Sequence, residues 1–499
     1  MTLPPEFDEP AGRTVRRSVA RLDAGIDAGQ RRLFRVLWFM VPPSSVVWNV
    51  QFQALLASRF LSDVALQALL YSVLIDRARA GGGAVDAALI GAAFLLPGVV
   101  LGMYGGAVAD ALPKRAALAG AYLSMGVLAF LIPGLLGTEL LPLLLVLFAV
   151  RVAYQVSQPS EASTLPLVAT EEELASATSF LSFASSAGEV VGKALLAPVV
   201  VVLWGVQPVT AIAGMLFLLS ATRVLDLRVG TAPAPAPAPE PAPYLDGEPQ
   251  PRPSTRDEVG RYARAGQGLL LQMHSATREM LPWLAAQPAV LWTLLLAAMA
   301  STVSVTVGML GPQYTGEVLD VDPENALYVF APAALGLIVA LVLAPLAIRT
   351  FGERISATIG FVAAAAGMTA LGAVNTITDV FGWIVFFDIP GVPKEVEVAA
   401  ILSISLGFGL TLAAASTQTY VSKYVPPAIQ GRTFALLGVL KDGLAIVALL
   451  LLGLLSDAVG TATVLTFAPI ALVVIAWGVT WLAGRFREPA HIEVPGVGG

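Results

Sequence analysis

Three polar side chains stand four residues apart inside an otherwise apolar stretch: Arg59, Asp63 and Gln67 in "SRFLSDVALQALL". Side chains at i and i+4 share one face of a helix, so a helix here presents a cation, a carboxylate and an amide in one row. Glu189 and Lys193 repeat the spacing in "GEVVGKA", where they can pair. Arg151 and Gln155 repeat it in "RVAYQ", whereas Lys441 and Asp442 are adjacent and point different ways. Groups of these types can bind protons and hold a polar ligand. A carboxylate takes up or releases a proton as its surroundings change, because burial favours the neutral form and a nearby cation the charged one. Asp63 beside Arg59, and Glu189 beside Lys193, supply the parts. The alternative for each pair is an internal ion pair that only ties helices together.

The elements that carry these groups are set by composition. Of 499 residues, 56% are hydrophobic and only 13% charged, and the mean hydropathy is +0.77. Soluble domains carry about 25% charged residues, so the chain is a polytopic membrane protein. An ionisable residue at a span centre costs about 2.5–3.5 kcal/mol on insertion scales and faces protein or water, which makes these groups functional candidates. There is no cysteine, and the two histidines, His274 and His491, fall outside the apolar runs. Disulfides, thiolate chemistry and intramembrane histidine metal sites are thereby excluded. We find no nucleophile–base set, metal cluster or phosphate loop. An enzyme, a cofactor, a bound metal and a nucleic-acid partner are therefore not expected.

A membrane helix needs about 20 apolar residues. The sequence predicts spans at 53–75, 87–109, 116–137, 139–157, 178–203 and 207–226, then at 288–311, 326–348, 356–377, 398–420, 434–456 and 461–484. The fold class expected is all-α, with two pseudo-symmetric six-helix bundles at 53–228 and 288–485. Between them lies a linker, 229–287. Its "APAPAPAPEPAP" favours extended polyproline II, and Thr255 with Glu258 opens an amphipathic helix as a capping box. A leader, 1–52, places Val15, Val19, Leu22 and Ile26 in an apolar stripe among Arg13, Arg16, Arg17 and Arg21, which suits an interfacial helix. Residues 33–52 are read as an approach to the first span rather than a crossing. With both termini, including a 486–499 tail, on the cytoplasmic side, most Lys and Arg lie inside.

Six plus six spans suggest duplication. "LPLVATEEELASATSFLSFASSAGEVVG" (165–192) and "VPPAIQGRTFALLGVLKDGLAIV" (425–447) share a layout and occupy matching positions, after the fourth and tenth spans. Between the second and third spans, "GGAVADALPKRAAL" (105–118) sets Gly106, Asp110, Lys114 and Arg115 at the cytoplasmic end. By itself this is either a latch between two bundles or a positive-inside turn whose Asp caps the next helix.

That stretch resembles the signature of the major facilitator superfamily between helices 2 and 3, although Ala111 and Pro113 depart from the pattern. "QPSEASTLPLV" with "EELASA" (158–177) and "VPPAIQGRTFALLG" (425–438) are similar to the loops after helices 4 and 10 in its exporter branch, which includes siderophore and drug secretion permeases. The resemblance covers about 53–484 without the linker. It implies two six-helix bundles that rock about a central cavity, Asp110 pairing with Arg115 and lying near Arg432, and a link between Arg151 and proton movement. It implies a proton-coupled exporter of a small organic or amphipathic molecule in a bacterial inner membrane. The two signs of charge among the span residues suit a zwitterionic or charged-amphiphile substrate, such as a lysophospholipid, and a monomer is expected. The competing expectation is a transporter-shaped protein that no longer transports and serves as an assembly factor or sensor.

Overall fold

A computed structural model describes residues 46–102, 113–136, 139–170, 173–225, 227, 284, 286–323, 326–381 and 392–482. The leader and linker helices, Gly106, Asp110 and both histidines lie outside the described residues. Twelve helices among the described residues are long and apolar enough to cross a membrane, and none of these residues forms a strand. They are α1 Val50–Arg79, α2 Ala84–Leu101, α3 Lys114–Ala129, α4 Leu140–Val168, α6 Val206–Leu225 and α7 Pro288–Glu317. They continue with α8 Ala333–Phe351, α9 Glu353–Gly372, α10 Lys394–Tyr424, α11 Pro427–Val459 and α12 Thr461–Leu482. The fifth, α5, runs through Leu174–Val190, a π-helical turn Val191–Leu196, and Ala197–Trp204. Backbone groups inside a bilayer must bond within their own helix, which is why apolar runs of this length take this form.

Several ends differ from the expected ones, with physical causes. Residues 158–168, read as a loop, are the last turns of α4, and 427–438 are the first turns of α11. Pro159 and Pro166 sit inside α4; membrane helices tolerate proline because neighbours satisfy the freed carbonyls. Likewise α10 begins at Lys394, so Glu395 and Glu397, which precede the expected span 398–420, occupy its first turn, where carboxylates suit the helix dipole. The span expected from 326 starts with a short helix, Ala326–Phe330, and the long helix α8 begins only at Ala333, after Pro332.

Buried apolar clusters follow the two halves of the chain. One gathers residues of α1–α6, with Met309, Leu310, Ala445 and Leu449 docked on it; another gathers α7, α9, α10 and α12. Helices α1 and α7 are the most enclosed, with 78% and 67% of their spans buried, against 17% for α8. Gly205 and Gly460 end α5 and α11, matching helices of the two halves, with φ of +88° and +91°. Such values suit glycine, and each lets the next helix start within a residue or two.

A seam joins the halves where α2 runs antiparallel to α11. Gly83 lies against Asp457, Ala84 and Ala88 against Gly453, Gly91 against Leu449, Gly98 against Asp442, and Gly102 against Val439. Small residues let membrane helices approach closely. At one end the seam is tied by a charge: the Ala84 N–H donates to Asp457 Oδ1 at 2.8 Å. The α2 N-cap, Gly83, has no side chain, so Asp457 of α11 caps α2 across the seam.

Candidate functional site

The row Arg59, Asp63, Gln67 on α1 faces α4 and α5. Gly188 and Gly192 of α5 allow this: a Cβ on Gly188 would sit 2.8 Å from the Phe60 carbonyl oxygen, and one on Gly192 would collide with that of Val64. Gln67 lies beside Gly192. Arg59 Nε meets Asp63 Oδ2 at 2.8 Å, the i,i+4 pair expected. Its Nη1 meets Glu161 Oε2 of α4 at 2.7 Å, and its Nη2 donates to Ser185 Oγ of α5 at 3.0 Å. Tyr154 donates its hydroxyl to Asp63 Oδ1 at 2.6 Å, and Tyr122 of α3 donates to Glu161 Oε1. The Gln158 amide, with its oxygen turned to Arg59, accepts from Nη2 at 2.7 Å. The side chains of Arg59, Asp63 and Glu161 are 12%, 4% and 5% exposed, so this network is sealed inside the α1–α6 half. It holds two carboxylates and one cation.

A second polar group adjoins it. Arg151 lies between two rings, 4.8 Å from the Phe94 centroid and 4.6 Å from that of Tyr154, a cation–π arrangement. Its Nε is buried without a hydrogen-bond partner, and no ion pair to it occurs among the described residues. Phe94 belongs to α2, the helix that packs on α11, so Arg151 sits close to the seam between the halves. Gln155 and Asp442 close over Gly98, where any Cβ would collide with Asp442 Oδ2. Lys193 and Glu189 form the expected pair at 2.6 Å, with side chains 33% and 48% exposed. Lys441 is adjacent to Asp442 in the sequence of α11. Tyr154 links the two groups, since its ring stacks on Arg151 and its hydroxyl bonds Asp63.

The sequence model of the Major Facilitator Superfamily matches residues 55–442, well over half of the chain. The chain belongs to this superfamily. No curated protein matches it by sequence. Among solved structures it is similar to a bacterial homologue of the human lysosomal transporter Spinster, inward-facing and unoccupied, at 15% identity and a TM-score of 0.63, covering 90% of this chain and 100% of that one. It is also similar to a D-xylose–proton symporter (14%, TM-score 0.62, 89% and 98% covered). A third is the nucleoside transporter NupG (14%, TM-score 0.60, 88% and 100% covered). At such identities these likenesses bear on the fold alone. The protein is an integral multi-pass membrane protein with the fold of secondary transporters.

Of the superfamily signature, Lys114 and Arg115 open α3, and Arg115 donates to the Leu225 carbonyl at the end of α6. That carbonyl has no partner within its own helix, and a cation suits a helix C-terminus. Asp110 lies outside the described residues, as does the Arg432 side chain, although its backbone belongs to the first turns of α11. The structure thus gathers Arg59 and Asp63 in one network and Arg151, Gln155, Glu189 and Asp442 around another. Sequence reasoning missed Glu161, Tyr122, Tyr154, Gln158 and Ser185. A signal for three of them was present: Arg151, Tyr154, Gln158 and Glu161 recur at three- and four-residue spacing.

Proposed function

We propose that the protein is a proton-coupled secondary transporter working by alternating access, with the 53–228 and 288–485 bundles rocking about the α2–α11 seam. Both termini are cytoplasmic in this reading, in a bacterial inner membrane, and the carrier is a monomer. One observation carries the coupling: Arg59 is shared by Asp63 and Glu161, so a sealed site holds one carboxylate more than its cations. An uncompensated charge away from water is costly. Uptake of one proton, shared by the two carboxylates, removes the excess; its release is tied to a state in which water reaches the site. Export of a small organic or amphipathic molecule is the direction implied by the resemblance of 158–177 and 425–438 to the exporter branch.

The test uses purified protein and substrates found by a thermal-shift screen. In proteoliposomes an imposed proton gradient drives accumulation through the wild type. Asp63→Asn and Glu161→Gln are expected to abolish driven flux while leaving substrate exchange intact. Unchanged driven flux in both would remove coupling through this site. A protein that binds no substrate and moves none would be the non-transporting assembly factor or sensor.

A further inference from the structure

We propose that Arg151 anchors an anion subsite, and that the ligand it takes is an organic monoanion, an oxyanion headgroup on an apolar or aromatic body. The inference rests on the transporter reading and names the substrate class. Around Arg151 stand two carboxylates, Glu189, paired with Lys193 at 2.6 Å, and Asp442, and two further cations, Lys193 and Lys441, so cations outnumber carboxylates by one. Arg151 itself makes no ion pair among the described residues. Its guanidinium is held between the Phe94 and Tyr154 rings with Nε buried and unbonded. Rings satisfy the face of a guanidinium but not its in-plane N–H donors, which fit the two oxygens of a carboxylate-like group in parallel. Glu189 and Asp442 within range of the same charge disfavour a second negative charge on the ligand. Phe94 and Tyr154 are themselves buried, at 4% and 5% exposure, and fix the guanidinium by its faces.

The Glu189 side chain is 48% exposed, and Arg151, Gln155 and Asp442 are half-buried at the boundary of the two halves. A Cβ on Gly438, one turn from Asp442 on α11, would meet nothing within 4 Å. The anion subsite is also wired to the proton site. The ring of Tyr154 touches Arg151 while its hydroxyl holds Asp63. Neutralising Arg151 therefore acts on the network that carries the surplus carboxylate.

The test is binding to the full chain in nanodiscs, with no gradient, using naphthalene-2-carboxylate, naphthalene-2-sulfonate, naphthalene-2-carboxamide and 2-naphthylmethylammonium. Wild type is expected to bind the two anions about tenfold or more tighter than the amide and the cation. Arg151→Gln is expected to bring that ratio to about one. Should Arg151→Gln fail to fold, Arg151→Lys decides: it keeps the charge without the fork, and the ratio should fall several-fold. Equal binding of amide or cation, no binding of either anion, or an unchanged ratio in the variant that folds would overturn the subsite. Loss of proton-driven flux is not part of this readout. Anion preference without driven flux would sink the transporter reading and leave the subsite standing, and the reverse result would do the opposite.

Discussion

Arg59 and Glu161 make opposite predictions for stability. Replacing Arg59 by Met leaves Asp63 and Glu161 together at 4% and 5% exposure with no cation between them. Removing one partner of a buried ion pair costs about 3–5 kcal/mol, so Arg59→Met should lie at or above that range. Replacing Glu161 by Gln leaves Arg59 and Asp63 as a balanced pair at 2.8 Å. It takes away one acceptor from the two donors on Glu161, Arg59 and Tyr122, a net cost of about 1 kcal/mol. The sharper result is the sign in combination. Glu161→Gln destabilises the wild type but should stabilise the Arg59→Met background, because it removes one of two repelling carboxylates. The double-mutant cycle therefore shows a coupling larger than about 1 kcal/mol and of opposite sign to additive damage. Denaturant unfolding in bicelles, followed by the fluorescence of the 8 tryptophans, reads all four proteins. If Glu161→Gln costs as much as Arg59→Met, or weakens the Arg59→Met protein further, the surplus-carboxylate reasoning is refuted.

Other consequences follow from single contacts. Gly192→Leu should cost at least about 1–3 kcal/mol, because its side chain would drive α5 off α1, whereas Gly438→Ala, facing open space, should change unfolding little. Asp457→Ala removes the cap that α11 supplies to α2, a loss of about 0.5–2 kcal/mol to that end of the seam. In a chain that has no cysteine, a pair introduced at Ala80 and Val459 should then cross-link more slowly than in the Asp457 protein; an unchanged rate would show that the cap does not hold the seam. Tyr154→Phe keeps the ring under Arg151 and removes the hydroxyl on Asp63, so proton-driven flux should fall while the anion preference persists; loss of both together would contradict the division of labour.

How much of this was legible depended on distance along the chain. The twelve spans follow from hydropathy, and the Glu189–Lys193 and Arg59–Asp63 pairs from i,i+4 spacing, since both are local. The last turns of α4 were not legible as helix, because Gln158, Pro159, Ser160 and Glu161 lower the hydropathy and proline reads as a breaker. That one misreading hid Glu161, whose partner lies 102 residues away. The roles of Gly188 and Gly192 were equally hidden, since their use is to bring α5 against the backbone of α1, far away in sequence. The Asp457 cap was out of reach because it joins residues 373 apart, a consequence of packing that no local pattern encodes.

Alternating access driven by a proton on the Arg59–Asp63–Glu161 site is tested most directly by distance. Spin labels on cysteines placed at Ala80 and Val459 report the separation of the two halves at the capped end of the seam. The wild-type distance distribution should shift between mildly alkaline and mildly acidic buffer, and Glu161→Gln should hold one distribution in both. An identical wild-type distribution in the two buffers, or a full shift retained by Glu161→Gln, would contradict the account.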